Sequence, residues 1–266
     1  MKYSITGSLG LIGERLKKDL DNKGHECLRD VDIGFNQGLK CNITQLQYEV
    51  LNEKVDTMYH LASFCKINKC VEDPLHAYIN NIHGTYSVFE FCRKNDIKNV
   101  VYFSSSRVLS KEKNPYTASK LYGEELCKAY KECYDINYKI IRPSTVYGPG
   151  IDNTHRLMDI WINNAKENKD LIIYGDKNKT LDFTYIDDFI TALNKCETWN
   201  EEYNISGMQE LKLCDVAKEI ISQSGSKSNI VYKKAEISQP QRVKIKNTIQ
   251  YKPKIDIKEG IRRCLK

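Results

Sequence analysis

No run of apolar residues in this chain approaches the roughly 20 that a membrane-spanning helix requires, so the polypeptide must bury its apolar side chains in its own core. The opening stretch MKYSITGSLGLIG lacks the form of a secretory leader, because glycines break its short apolar segment and no small-residue cleavage site follows. A cytoplasmic location is therefore expected, with no membrane partner. The ten cysteines contain no Cys-x-x-Cys pair, and in a chain of this length they read as buried thiols rather than a disulfide framework. The five histidines show no HxxxH or HExxH spacing, which argues against a protein-built metal site. Internal repeats and low-complexity tracts are also missing.

What remains is an ordinary globular composition. Of 266 residues, 41% are hydrophobic and 10% aromatic, enough for one large domain or two closely joined ones. The net charge of +6 is uneven. Twelve Lys and Arg face three Asp and Glu from Lys227 to Lys266, a local +9 that leaves the preceding residues at −3. Isoleucines and tyrosines interleave with these charges, in VKIKNTIQYKPKIDI for instance, so the region reads as a folded, solvated face near an anionic small molecule rather than a nucleic-acid footprint.

Hydrophobic periodicity alternates strand and helix. KYSIT (2–6), HECLR (25–29), VDTMYHLA (55–62), NVVYFSS (99–105) and NYKIIRP (137–143) read as strands. GERLKKDLDNKG (13–24), a long segment from Pro74 to Lys94, and Tyr116 to Tyr134 read as the helices between them. Strands joined by crossover helices predict an α/β fold with a doubly wound parallel sheet. Beyond Pro149 the alternation weakens to the short strands IIYG, FTYI and EYNIS, predicting a smaller interleaved C-terminal lobe. The expected division is 1–149, with 183–206 returning to it, against 150–182 and 207–266.

The first strand leads into TGSLGLIGERL, where Gly7, Gly10 and Gly13, with Leu11 and Ile12 between them, form a glycine-rich turn that opens a helix and is the candidate dinucleotide site. Glycines at a strand-to-helix turn allow a tight bend and close approach of a pyrophosphate, whose charge meets the free N–H groups of the helix N-terminus. About 20 residues on, Asp30 and Asp32 stand where a carboxylate accepts hydrogen bonds from an adenosine ribose, which favours NAD. Arg29 beside them suits the 2′-phosphate of NADP, so that alternative stays open. Further along, NPYTASK (114–120) places Asn114 as a helix cap, Pro115 at the first helical position, and Tyr116 and Lys120 one turn apart on one face. An ammonium and a helix N-terminus beside a phenol both favour the phenolate, so Tyr116 is a candidate proton shuttle.

These pieces, with YHLAS (59–63), NNIHGT (80–85), YFSSSRV (102–108), RPSTVYGPG (142–150), LDFTYIDD (181–188) and YNISG (203–207), occur in an order that resembles the extended short-chain dehydrogenase/reductase family, specifically its NAD-dependent nucleotide-sugar epimerase and dehydratase branch. The resemblance covers nearly the whole chain. It implies a Rossmann-type fold with a substrate-binding C-terminal lobe. Catalysis would fall to Ser105 as a hydrogen-bond donor to the reacting hydroxyl, Tyr116 as the acid/base, and Lys120 as the group that lowers the tyrosine pKa and holds the nicotinamide ribose. Leu61, Ala62 and Ser63 would line the cofactor, Asn42 and Ile43 would lie by the adenine, Asn81 would brace the active-site backbone, and Pro143 and Ser144 would flank the nicotinamide. The resemblance also implies a homodimer through the helices that begin near Pro74 and Tyr116.

Departures from the family pattern narrow the expected chemistry. Ser106 and Arg107 occupy the place of the Asp-Glu pair that serves water elimination in sugar dehydratases, so elimination is not expected. Leu181 replaces an arginine that grips the nucleotide diphosphate, and Thr145 replaces an asparagine; Arg242 in the basic C-terminal lobe is the candidate replacement contact, with Ser106 and Thr145 lining the sugar. The function implied is a C4 epimerase of nucleotide sugars acting through a transient 4-keto sugar. The alternatives are an NAD(P)H-dependent reductase of a 4-keto nucleotide sugar and, in a different class, a non-catalytic nucleotide- or RNA-binding scaffold.

Overall fold

A computed structural model describes residues 1–33, 42–150 and 156–266. Two of the expected divisions, 1–149 and 150–182, thus include stretches that lie outside the described residues.

The first half alternates as the periodicity predicts. β1 (Lys2–Thr6) leads to α1 (Leu11–Asn22) and β2 (Glu26–Val31); a 3-10 turn (Ile43–Tyr48) precedes β3 (Thr57–His60). After α2 (Ile67–Glu72), a π-helical segment (Ala77–His83) runs straight into α3 (Gly84–Lys94). Then come β4 (Asn99–Phe103), a 3-10 turn (Ser106–Leu109), α4 (Pro115–Tyr134) and β5 (Asn137–Pro143). These are compact, nearly continuous apolar strands such as NVVYF, buried from its second residue on, as expected for a sheet covered on both faces.

The helices depart from the expectation in three respects. The first helix begins at Leu11 rather than Gly13, because Leu11, Leu16 and Leu20 carry its buried stripe, and it ends before Gly24, whose φ of 76° only glycine adopts easily. The long helix contains the π-helical segment, which the apolar spacing does not reveal. The short α2 was not expected.

The six-stranded sheet has the order β2-β1-β3-β4-β5-β9, where β9 is Glu201–Ile205, and β2 through β5 pair in parallel. From β1 the chain passes to β2 on one side and then crosses to β3 on the other, so the topological switch lies between β1 and β3. In such sheets ligands bind outside the carboxyl ends of the strands at the switch. The core beneath it joins Val31, Leu46, Met58, Val88, Phe89, Phe91, Val100 and Ile140.

Two compact units divide the chain. The first contains Met1–Val108, Lys113–Arg142 and Cys196–Tyr203; the second contains Leu109–Glu112, Pro143–Lys195 and Asn204–Lys266. Within the stretch 183–206, residues 196–203 fall in the first unit. The second unit is built of β6 (Thr145–Tyr147), α5 (Leu157–Lys166), β7 (Leu171–Tyr174), β8 (Thr180–Tyr185), α6 (Ile186–Leu193), β10 (Glu210–Lys212), α7 (Leu213–Ser224), β11 (Ile230–Lys233) and α8 (Ile257–Leu265), with small sheets β10-β8-β6 and β11-β7. Among the described residues no helix is long and apolar enough to cross a membrane, no cluster of side chains has metal-ligand geometry, and the nine cysteines are free thiols.

Candidate active site

The switch point is occupied by the glycine loop, and its three glycines do different work. Gly7 has a φ of 77°, and a Cβ there would lie 2.7 Å from the Ala62 nitrogen, so the loop can pack on the Leu61–Ala62 backbone only without a side chain. A Cβ on Gly13 would sit 2.1 Å from the Gly7 carbonyl oxygen. Gly10 meets no such conflict: its Cβ would find a single neighbour at 3.5 Å, an ordinary contact. Gly10 caps α1 without offering a side chain, so the first-turn N–H groups at Leu11 and Ile12 face no side-chain acceptor from the cap. Internal packing thus explains Gly7 and Gly13, whereas Gly10 is free for a ligand to approach.

Asp30, near the end of β2, and Asp32, just past it, also separate. The Asp32 carboxylate accepts a hydrogen bond from the Leu9 N–H at 3.0 Å and so braces the loop. Asp30 keeps a buried Oδ1 with no partner in hydrogen-bond geometry among the described residues, and the same holds for the hydroxyl of Ser8, which nonetheless lies close to the carboxyl. Burial pushes the Asp30 carboxyl above its usual range, with Ser8 and Lys17 opposing that shift. Orphaned polar atoms at a strand end fit a ribose hydroxyl. Arg29, the residue suited to a 2′-phosphate, is bound through two N–H groups to Glu49 at 2.8 and 2.6 Å. The residues present therefore fit NAD. Asn42 accepts from the Thr44 N–H and caps the 3-10 turn, and Ile43 packs in the core against Gly84, where a Cβ would strike its Cδ1.

The second cluster of the first unit gathers at the end of β4 and the start of α4. Asn114 caps the helix with a reciprocal bond pair: its side chain accepts from the Thr117 N–H, while Thr117 Oγ1 accepts from the Asn114 N–H. Tyr116 is buried in the first turn beside Cys70 and Ala77, with Phe64, Cys65 and Ile67 packed around them. One turn on, Lys120 is 4% exposed, and its ammonium donates to the Phe103 carbonyl at 2.9 Å. Burial draws the Lys120 pKa down to about 8, opposed by Cys65 and Glu124. Ser105 lies two residues past β4, half-buried, and its hydroxyl accepts from the Arg107 N–H at 3.2 Å; Ser106 is buried.

Asn81, on the π-helical segment, fastens this cluster. Its Oδ1 accepts from the Phe64 N–H (2.7 Å) and the Ser63 hydroxyl (3.2 Å), and its Nδ2 donates to the Phe64 carbonyl and to Ser119 Oγ, both at 3.0 Å. Ser119 in turn donates to the Tyr116 carbonyl at 2.7 Å. The segment after β3 and the first turn of α4 are thereby one hydrogen-bonded body.

Within the second unit, Ser144 donates its N–H to the Ile205 carbonyl, and its hydroxyl lies 2.6 Å from that of Thr184. Pro143 ends β5 and Thr145 begins β6. Buried Asp182 accepts from the Ser206 hydroxyl at 2.7 Å and the Gly207 N–H at 3.2 Å, while the preceding Leu181 is buried. Arg242 has its guanidinium on the Glu210 carboxylate, so the charge expected to meet a phosphate is already neutralised there.

Sequence reading missed three groups. His60 is fully buried between Thr6 and Thr85 hydroxyls at 2.8 and 3.0 Å, and burial, with Lys120 nearby, draws its pKa down to about 3, so it is neutral. Ser8 sits inside the glycine motif. Glu124 continues the four-residue spacing of Tyr116 and Lys120, a signal legible in PYTASKLYGE.

The comparisons agree with this geometry. A relative from Methanocaldococcus jannaschii, provisionally named UDP-glucose 4-epimerase, is 29% identical over 295 residues, covering 98% of this chain and 96% of its own. The UDP-glucose 4-epimerase of Thermotoga maritima, solved with UDP-glucose, superposes with a TM-score of 0.90 at 20% identity, covering 100% of this chain and 97% of the other. The Bacillus cereus UDP-glucuronic acid 4-epimerase, solved with UDP-glucuronic acid and NAD, gives 0.86 at 24% identity, covering 100% and 98%. These likenesses establish the Rossmann-type fold. The model of the NAD dependent epimerase/dehydratase family matches residues 3–206, and the chain belongs to that family within the extended short-chain dehydrogenases/reductases.

Proposed function

We propose that this enzyme is an NAD-dependent nucleotide-sugar epimerase that inverts C4 through a transient 4-keto sugar, with Tyr116 as acid/base. The observation that carries the reading is the pairing of buried Tyr116 with a buried Lys120 whose ammonium is tied to Phe103 at the end of β4, two residues before Ser105. NAD, when bound, supplies the acceptor and then the donor of the C4 hydride. The remaining work belongs to the chain. Tyr116 takes the proton from the C4 hydroxyl oxygen and returns it to the same oxygen after the sugar turns over; Ser105 donates a hydrogen bond to that oxygen. Lys120 holds the phenolate by its charge and the nicotinamide ribose by its N–H groups. Leu61, Ala62 and the first turn at Gly10 to Gly13 form the cofactor wall, and Asp30 rather than Asp32 takes the ribose hydroxyls.

The second unit is the substrate-binding lobe in this reading, with Ser144 and Thr145 at its strand start. The relatives' UDP-linked substrates support a nucleotide sugar here too. A reductase consuming NADPH fits less well, since Arg29 is committed to Glu49. A non-catalytic scaffold leaves a buried, desolvated lysine beside a buried tyrosine without a purpose. Exposed Leu75, Tyr78, Ile79 and Tyr86 on the helical run that ends in α3 support a homodimer through that face, which light scattering tests. Free thiols support a reducing, cytoplasmic setting.

The deciding experiment measures protein-bound NAD after purification and then screens UDP-, GDP- and dTDP-sugars for C4 epimers by NMR. Retained NAD with isomer formation is expected. Stoichiometric consumption of NADPH without isomerisation would replace the epimerase with the reductase.

A further inference from the structure

The carboxylate of Glu124, one turn beyond Lys120, is 2% exposed and carries an unusual density of partners. It accepts from the Ser104 hydroxyl at 2.5 Å and from Arg142 Nε and Nη2 at 2.8 and 2.5 Å. Arg142 reaches on to Glu202 at 2.7 Å, and Glu202 to Lys128 at 3.1 Å. Buried ion pairs are poor sources of net stability, because desolvation offsets their attraction and an apolar replacement often does as well. Stability is thus a weak reason for this clasp to exist, and its placement offers a stronger one. Tyr116, Lys120 and Glu124 occupy successive turns of one helix face. Lys120 binds the carbonyl of Phe103, Glu124 binds the side chain of Ser104, and the next residue is Ser105. Two attachments at consecutive residues fix both the height and the rotation of a strand end, where one would leave it free to turn.

We propose that Glu124 is a positioning residue of the active site: it orients Ser105 through Ser104 and places a buried carboxylate one turn from Lys120. The inference rests on the acid/base reading of Tyr116. The groups facing Lys120 are Glu124 on its own helix, Cys65 from the segment after β3, and from β3 and β4 the neutral His60 and the Tyr102 ring, whose centroid lies 5.3 Å from the ammonium. Those facing Glu124 are Ser104 from β4, Arg142 from β5 with Glu202 beyond it on β9, and Lys120 and Lys128 on α4. Removing the Glu124 charge takes away a neighbour that opposes the effect of burial on Lys120 and leaves the Arg142 guanidinium balanced by Glu202 alone, so the ammonium is lost at lower pH.

The test uses the full chain with lysine Cε labelled by carbon-13, the Lys120 resonance being identified by its loss in Lys120→Met, together with single-turnover reduction of bound NAD by UDP-glucose. In Glu124→Gln the Lys120 midpoint is expected to fall by about one pH unit, and the alkaline limb of the rate profile to move down with it. In Ser104→Ala the rate should fall about tenfold with NAD affinity and the Lys120 midpoint unchanged. An unmoved midpoint in Glu124→Gln, or a parental rate in Ser104→Ala, overturns the inference; if Glu124→Gln does not fold, Ser104→Ala decides alone. A parental rate in Tyr116→Phe would instead sink the acid/base reading while leaving the midpoint shift to stand.

Discussion

The glycine loop at the end of β1 and the cluster at the start of α4 belong to the same unit but are finished to different degrees. Around the loop, Asp30 Oδ1 and Ser8 Oγ are buried without a partner in hydrogen-bond geometry among the described residues, and Gly10 has room beside it that no described residue fills. Around α4, the Asn114 cap, Asn81, Ser119, Lys120 and Glu124 all bond within the chain. In the proposed reading the cofactor completes the loop. The α4 cluster is bonded without any ligand, which suits the proposed acid/base role, since a proton moves only between atoms already held in reach. In that reading the cofactor cradle keeps unsatisfied groups that the proton-transfer site does not.

Breaking the α4 side should have the largest effect. Tyr116→Phe removes one oxygen and keeps the ring, and turnover should fall by about 10²- to 10⁴-fold while NAD affinity barely changes. Lys120→Ala should lower turnover and weaken NAD binding together, and it should shift the acidic limb of the rate profile upward, because the phenol loses its neighbouring charge. Single-turnover reduction of bound NAD across pH checks both.

Breaking the loop side separates two kinds of glycine. Gly10→Val should abolish measurable NAD binding by calorimetry and leave the unfolding midpoint near the parental value, because only the ligand needs that space. Gly13→Val should lower the unfolding midpoint markedly, since its Cβ collides with the Gly7 carbonyl. Equal loss of stability in both would erase the distinction between packing glycine and ligand glycine.

Asp30→Asn sharpens the comparison on a smaller scale. Replacing the carboxylate should weaken NAD roughly tenfold and NADP less, whereas Asp32→Asn should act mainly through the loop it braces. A larger NAD loss from Asp32→Asn would reverse the assignment of the ribose.

The smallest effect concerns stability against pH. Lys120 has a folded pKa near 8 against an ordinary 10.5, so between those values the unfolded chain binds more protons and this group makes stability rise with pH. The advantage of Lys120→Met over the parent, measured by urea unfolding, should therefore shrink from pH 7.5 toward 10, by a few kcal/mol at most. A constant difference would show that Lys120 is not desolvated.

Motif order and periodicity made the first unit legible: β1, β4, α4 and β5 fall within a residue or two of their expected bounds, and Asn114 caps α4 as its neighbours suggest. The π-helical segment was not legible, because it is held by tertiary bonds of Asn81 rather than by any local preference. The second unit was the least readable. Its strands of three to six residues are too short to show a period, and their pairings join distant segments such as Glu210 with Asp182.

By itself the sequence determined the local events: where helices start, which face of α4 carries Tyr116 and Lys120, and that a glycine turn follows the first strand. Caps, side-chain period and glycine conformations depend on near neighbours, and so can be read along the chain. Only the tertiary structure decided which glycine is open, which of the two acids Asp30 and Asp32 keeps a buried oxygen without a partner among the described residues, that Arg29 and Arg242 are already neutralised by Glu49 and Glu210, and that Glu124 reaches Ser104 and Arg142. Those outcomes depend on burial and on partners 18 to 32 residues away, and burial sets the energy of every charge involved.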